Sequence, residues 1–204
     1  ELMKRYFALH ARLKTRKTRL DVTVNNVHLA RWLTAEFGSH AVHNRLPTWV
    51  LWLPPELQQG LIKGMWLGDG YVNLKRSGPR AGYTTISSTM AQQLKLILLR
   101  QGVIPSFYQE EAKTVRGVHH QTSYRIHVGD MFSLKTLCEI LDIVFKRKTA
   151  AREAQWSWFD GTNVFVPIKK VAKVVCAIPR LANLEVAKAH TYLTDAFAVH
   201  NCGD

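Results

Sequence analysis

Cysteine is scarce in this chain of 204 residues. Its three cysteines, Cys138, Cys176 and Cys202, have no paired spacing, which excludes a disulfide framework and a paired-cysteine zinc site. Long apolar runs are absent, and Glu1-Leu-Met-Lys-Arg does not read as a secretion signal. The expectation is therefore a soluble, cytoplasmic protein with no membrane partner. Acidic groups are few, 15 Asp and Glu against 28 Lys and Arg, a net charge of +13. Five of the basic and four of the acidic residues fall from 160 onward, leaving 23 and 11 before it. A basic segment joined to a near-neutral one suggests two modules, the first facing a polyanion, although a merely basic surface would have the same composition. No internal repeat or low-complexity tract is visible. The 47% of hydrophobic residues suffices for one large core or two small ones.

Seven Lys and Arg lie in the first twenty residues, four of them in Lys14-Thr-Arg-Lys-Thr-Arg19, ahead of the strand-like Leu20-Asp-Val-Thr-Val24. Such a run suits either phosphate or solvent. Residues 26–37 carry apolar groups at 29, 32, 33 and 37, a helical face stopped by Gly38. His40 and His43 have no metal-ligating company in sequence. Thr48-Trp-Val-Leu-Trp-Leu53 reads as buried or interfacial, and Pro54-Pro55-Glu56 opens a helix. In that helix Gly60, Gly64 and Gly68 recur every fourth residue, a bare face that would let a second backbone approach closely. The helix ends on Asp69-Gly70. A carboxylate there opposes the helix dipole and asks for compensation, which a divalent metal would supply; a simple turn pair is the alternative. Residues 82–88 read as a strand and 90–100 as an amphipathic helix ended by Gly102. Residues 106–113 and 119–128 read as strands paired about Gly117, and 132–145 as a closing helix. Cys138 and Cys176 sit in apolar surroundings suited to a core.

Leu61-Ile-Lys-Gly-Met-Trp-Leu-Gly-Asp69-Gly70 resembles the motif of the LAGLIDADG homing endonucleases, with Leu67 at the first acidic position and Asp69 at the later, metal-binding one. The resemblance implies half of an endonuclease unit over about 1–150, helices on a curved antiparallel sheet that follows the major groove of double-stranded DNA. It implies Mg2+ or a similar cation at Asp69 if the nuclease is active. It also implies a second glycine-faced helix, which this sequence does not show. Lys75, Arg76, Arg80, Lys113, Arg116, His119, Gln121 and Arg125 are the side chains assigned to DNA, Arg and Gln suited to base edges and Lys to phosphate.

The tail places Asn201 between His200 and Cys202. An Asn side-chain amide can attack its own main-chain carbonyl, closing a five-membered ring and cutting the chain after itself. Histidines could supply the protons, and a thiol is the best side-chain acceptor for an acyl group at neutral pH. Strand-like Leu184-Glu-Val186, then His190, an apolar run and His200-Asn201-Cys202 resemble the C-terminal splicing motifs of inteins. The resemblance implies that 160–201 are the C-terminal strands of an all-β Hint-type splicing domain and 202–204 a stub of the host protein. The overall expectation is α+β. Asn201, His200, His190 and Cys202 would be the catalytic set, needing no cofactor for splicing. Ala182-Asn183 stands where the family usually has Tyr-Asp, and Glu1 is not a splicing nucleophile. The resemblance therefore implies either the C-terminal piece of a split intein, with an N-terminal intein fragment as partner, or the loss of a preceding segment. A DNA endonuclease or DNA-binding protein with a vestigial tail is the alternative. A third is a nuclease-dead domain that helps the two halves meet.

Overall fold

A computed structural model describes residues 1–18, 20–75, 78–146, 157–168, 170–173, 175, 186–188, 191–193 and 198–200, the side chains of 193 and 198–200 excepted. It divides into two compact units, Glu1–Pro167 and Ile168–Asp204.

The first unit opens with a short helix, α1 (Leu2–Phe7), and a hairpin of β1 (Arg12–Thr15) and β2 (Leu20–Thr23). The helix α2 (Val27–Phe37) follows. Asn26 caps it, its side-chain oxygen accepting from the Leu29 N–H, where the sequence reading starts the helix. A single turn at Ala41–His43 leads to α3 (Thr48–Trp52). Of this last segment Val50 is buried, whereas Trp49 and Trp52 are exposed.

The centre of the unit is α4 (Pro55–Asp69), with Pro55 in its first turn, where a missing N–H costs no hydrogen bond. Gln58, Ile62 and Trp66 recur every fourth residue and form its buried stripe. A four-stranded antiparallel sheet follows, in the order β3 (Gly70–Asn73), β4 (Arg80–Thr85), β8 (Ser123–Val128), β5 (Ser106–Glu110). Between β4 and β5 lies α5 (Ser88–Arg100), capped by Ser87, whose hydroxyl accepts from the Met90 N–H. Between β5 and β8 a separate ribbon projects, β6 (Lys113–Val115) with β7 (Val118–His120). Arg116 and Gly117 both take positive φ at its turn, as tight hairpins require. After β8 comes α6 (Met131–Ile140), capped by Asp130.

Among the described residues, helices cover one face of the sheet only. Ile62, Leu94, Ile97, Leu98, Leu134 and Leu137 are fully buried against Ala81, Ile126 and Val128 of the strands. Each such side chain stabilises the fold by about 1.5–3 kcal/mol through its burial. Gln58 donates through Nε2 to the Val50 and Leu51 carbonyls, tying the start of α4 to α3. Gln93 holds residue 46 by both its N–H and its carbonyl.

Four boundaries differ from the sequence reading. The strand over 82–88 ends at Thr85, because Ser87 serves as a cap. The closing helix stops at Ile140, five residues short of the expected 145, with Asp142 at φ 56. The expected single hairpin of 106–113 with 119–128 is two pairings, β5 with β8 and β6 with β7. Of the strand pattern over 163–175, only β10 (Val164–Phe165) is a strand among the described residues, paired with β9 (Trp158–Phe159). Among the described residues of the second unit there is one hairpin, β11 (Thr191–Leu193) with β12 (Ala198–His200), in which Thr191 faces His200.

Candidate nucleic-acid interface

Because strand side chains alternate, the buried set on the sheet fixes the open set. Ala81, Tyr83, Ile126, Val128 and Phe107 point to the helices. Arg80, Thr84, Arg125, His127, Tyr108 and Tyr71 therefore share the other face. Pairing sets Thr84, Arg125 and Tyr108 in one row across three strands, and Tyr71, Gly82 and His127 in the next. A Cβ on Gly82 would come within 2.7 Å of the Tyr71 ring, so a larger residue there would displace that exposed side chain.

Arg125 pairs with Glu110 at 2.7 Å, and Lys113 approaches the same carboxylate at 3.7 Å. Glu110 thus draws a residue of the sheet and one of the projecting ribbon to one point. His127 lies edge-on to Tyr108, with ring centroids 6.4 Å apart. Its pKa is lowered, first by burial and then by the positive charges of Arg80 and Arg125. A surface that discourages a third cation in this way is one that a phosphate would relieve.

The structure therefore brings together Arg80, Arg125 and, through Glu110, Lys113. Lys75 follows β3, its backbone N–H donating to Asn73 Oδ1, and is exposed. Arg116 is at the ribbon turn, His119 on β7, and Gln121 just beyond it, all exposed. In the ribbon Lys113 faces His120, and Thr114 faces His119. Lys113 and His119 thus occupy opposite faces, and His120 is the histidine that shares the Lys113 face. Arg76 lies outside the described residues. Sequence reasoning missed Tyr71, Tyr108 and His127. The last was within reach, two residues from Arg125 on the same strand and hence on the same face.

Asp69 is exposed at the end of α4. Tyr83 registers its charge: the hydroxyl pKa is raised, first by burial and then by the Asp69 carboxylate. Among the described residues no three His, Cys, Asp or Glu come together as a metal site. Asp69 fits one side of a cation site and does not complete one. The glycine stripe beside it is bare. A Cβ added at Gly60, Gly64 or Gly68 meets nothing within 4 Å, and Leu57 and Leu67 on the same side are exposed. Gly70 differs, since a Cβ there would sit 2.5 Å from the Trp66 ring.

In the second unit the β11–β12 hairpin ends on His200, whose side chain is not described. His190, Asn201 and Cys202 lie outside the described residues, as do Cys176 and Ala182-Asn183. Cys138 is buried, and burial followed by the Glu139 charge pushes its thiol pKa up, as an inert core thiol requires. No helix among the described residues is long and apolar enough to cross a membrane.

Residues 56–142, from the first turn of α4 to just beyond α6, match the LAGLIDADG-like domain family. An ATP-dependent DNA helicase of Thermococcus kodakarensis is 31% identical over 114 residues, 52% of this chain and 10% of the helicase. An uncharacterized protein of Methanocaldococcus jannaschii is 26% identical over 165 residues, 79% of this chain and 19% of its own length. A DNA polymerase of Thermococcus hydrothermalis is 26% identical over 90 residues, 44% of this chain and 5% of the polymerase. The chain thus spans a fifth or less of each of these relatives. A LAGLIDADG-like domain is present over residues 56–142.

Proposed function

We propose that this chain is the C-terminal portion of an intein that carries a LAGLIDADG endonuclease region, binding double-stranded DNA on the open face of its sheet. The observation that carries the DNA reading is the clustering of Arg80, Thr84, Arg125, His127 and Tyr108 on the sheet face that no helix covers among the described residues. Arginine there can reach base edges and lysine phosphates, while the net charge of +13 favours any polyanion. Similarity to short stretches of a helicase and of a polymerase supports a segment housed in different hosts. Cleavage would need a second carboxylate beside Asp69, brought by a partner helix seated on Gly60, Gly64 and Gly68. Bound there, Mg2+ would stabilise charge on the cleaved phosphate. Titration of a long duplex at several salt concentrations tests the binding: log affinity should fall linearly with log salt. Affinity indifferent to salt would sink it.

Splicing is the second part of the proposal. Cys202 attacks the ester or thioester that joins the upstream host segment to the first nucleophile of the N-terminal fragment, taking its acyl group and releasing that nucleophile as a hydroxyl or thiol. The Asn201 amide nitrogen then attacks its own carbonyl carbon, forming a succinimide as the 201–202 peptide bond breaks. His200 or His190 delivers the proton that the departing nitrogen gains. The freed thioester rearranges to an amide. Support comes from the β11–β12 hairpin, which pairs Thr191 with His200, the sequence neighbours of His190 and Asn201. With the complementary N-terminal fragment supplied, Asn201→Ala should block release after residue 201 and leave a branched intermediate visible by mass spectrometry. Unchanged ligation would refute the assignment. Should DNA cleavage be found and splicing not, the chain is an endonuclease with a vestigial tail. If it binds the complementary fragment without DNA affinity, the domain serves assembly alone.

A further inference from the structure

At the end of β5 the open face of the sheet meets the projecting ribbon, and side-chain alternation restarts. Glu110 and Ser123 are the last facing pair of the sheet, Lys113 and His120 the first of the ribbon. Two residues on each strand separate these pairs, which lets Lys113 stand beside Glu110 although it lies three positions on. Glu110 has the parity of Tyr108 along β5 and hence shares the open face. Ser123 opposite it is small, and Glu110 reaches diagonally to Arg125, whose Nη2 lies 2.7 Å from its Oε1. The other oxygen, Oε2, has Lys113 at 3.7 Å. Thr84 and Tyr108 flank Arg125 across the sheet.

An arginine held in this way differs from a free one. The carboxylate offsets much of its charge and would repel a phosphate brought to the same place, so the couple is poorly suited to the DNA backbone. It presents a fixed pattern instead. The guanidinium side chain is 45% exposed and keeps N–H donors on the edge that Glu110 does not occupy, while the carboxylate beside it, 34% exposed, only accepts. Donors next to an acceptor complement one base-pair edge in the major groove. A G·C pair offers the acceptors N7 and O6 of guanine and then the N4–H donor of cytosine. An A·T pair offers an acceptor, a donor and an acceptor in turn, which the couple meets only in part. Because the ion pair forms without DNA, little of the guanidinium's freedom remains to be lost on binding.

We propose that Arg125 and Glu110 act together as the reader of one G·C base pair. Arg125 donates to guanine N7 and O6, and Glu110 accepts from the N4–H of the paired cytosine. Glu110 is thus a positioning residue for Arg125 and a base contact in its own right, and its charge keeps phosphate from the same place. The interface gives up general affinity here and gains discrimination. The inference rests on the DNA reading of the open face and is independent of splicing and of cleavage.

The test uses the 204-residue chain and a duplex that it selects from a random-sequence pool. Each guanine in turn is replaced by 7-deazaguanine, which lacks the N7 acceptor, and each cytosine by N4-methylcytosine, whose methyl stands in place of the free N4–H. At one base pair both replacements should weaken binding, the first by about tenfold or more. Arg125→Ala should abolish the response to 7-deazaguanine at that pair and leave the other guanines as they were. Glu110→Ala should bind a duplex of scrambled sequence at least as tightly as the parent chain at low salt. It should nevertheless lose the response to N4-methylcytosine and much of the preference for G·C over A·T at that pair. A carboxylate that merely braced the strand would lower both affinities together. The proposal is overturned if no base pair responds to both replacements, if Arg125→Ala keeps the same response, or if Glu110→Ala keeps the full preference for G·C. Salt-dependent binding without such a base pair sinks this proposal and spares the DNA reading, whereas affinity indifferent to salt sinks both.

Discussion

At the scale of single residues, His127 and Asp69 report on the proposed interface. The lowered pKa of His127 means that the folded chain holds it neutral against the pull of acid. Its contribution to stability is therefore present above the ordinary value of 6.5 and is lost as pH falls through the depressed one. A phosphate seated by Arg80 and Arg125 would reverse the repulsion and favour the imidazolium. Duplex affinity should accordingly rise between pH 7.5 and 5.5 at fixed salt, by roughly tenfold at most. His127→Gln should flatten that rise, and an identical pH profile in the variant would count against the placement. Asp69→Asn should lower the raised pKa of Tyr83 without returning it to the ordinary value, because burial, the larger cause, remains. Ultraviolet titration of tyrosine in both proteins reads this directly. Glu110 holds both Arg125 and Lys113, so Glu110→Gln should release two cations toward DNA and tighten binding several-fold at low salt, as a binding isotherm would show.

At the scale of elements, the glycines of α4 and the residue that follows it separate two roles that look alike in sequence. Gly64 has open space where a side chain would go. Gly64→Ala should therefore raise stability of the chain by up to about 1 kcal/mol in chemical denaturation, through helix propensity alone. The same change should weaken association with a partner helix. Gly70→Ala would drive a methyl into the Trp66 ring and backbone, and should destabilise by about 1–3 kcal/mol. Periodicity finds the stripe of Gly60, Gly64 and Gly68 and says nothing of whether a neighbour is there. Helix positions were legible from apolar spacing, whereas the caps at Ser87 and Asp130 were not, Ser87 lying inside the expected strand. The pairing of 106–113 with 119–128 about Gly117 was legible too; its division into β5 with β8 and a separate ribbon was not, a choice made by Phe107 and Ile126 facing the same core.

At the scale of the whole molecule, charge decides encounter and topology decides what is met. Arg80→Ala should reduce the slope of log affinity against log salt by about one, as loss of a single phosphate contact does, with little change in target preference. A steep loss confined to one target sequence would instead mark Arg80 as a base reader. The sequence by itself determined the helix over 55–69, the acidic residue at its end, the basic front and the Asn201 neighbourhood. Each of these depends on residue type and local spacing, which a linear string carries in full. Only the tertiary structure decided that Arg80, Arg125, His127 and Tyr108 share one uncovered face, because strand order and register bring together residues far apart in sequence.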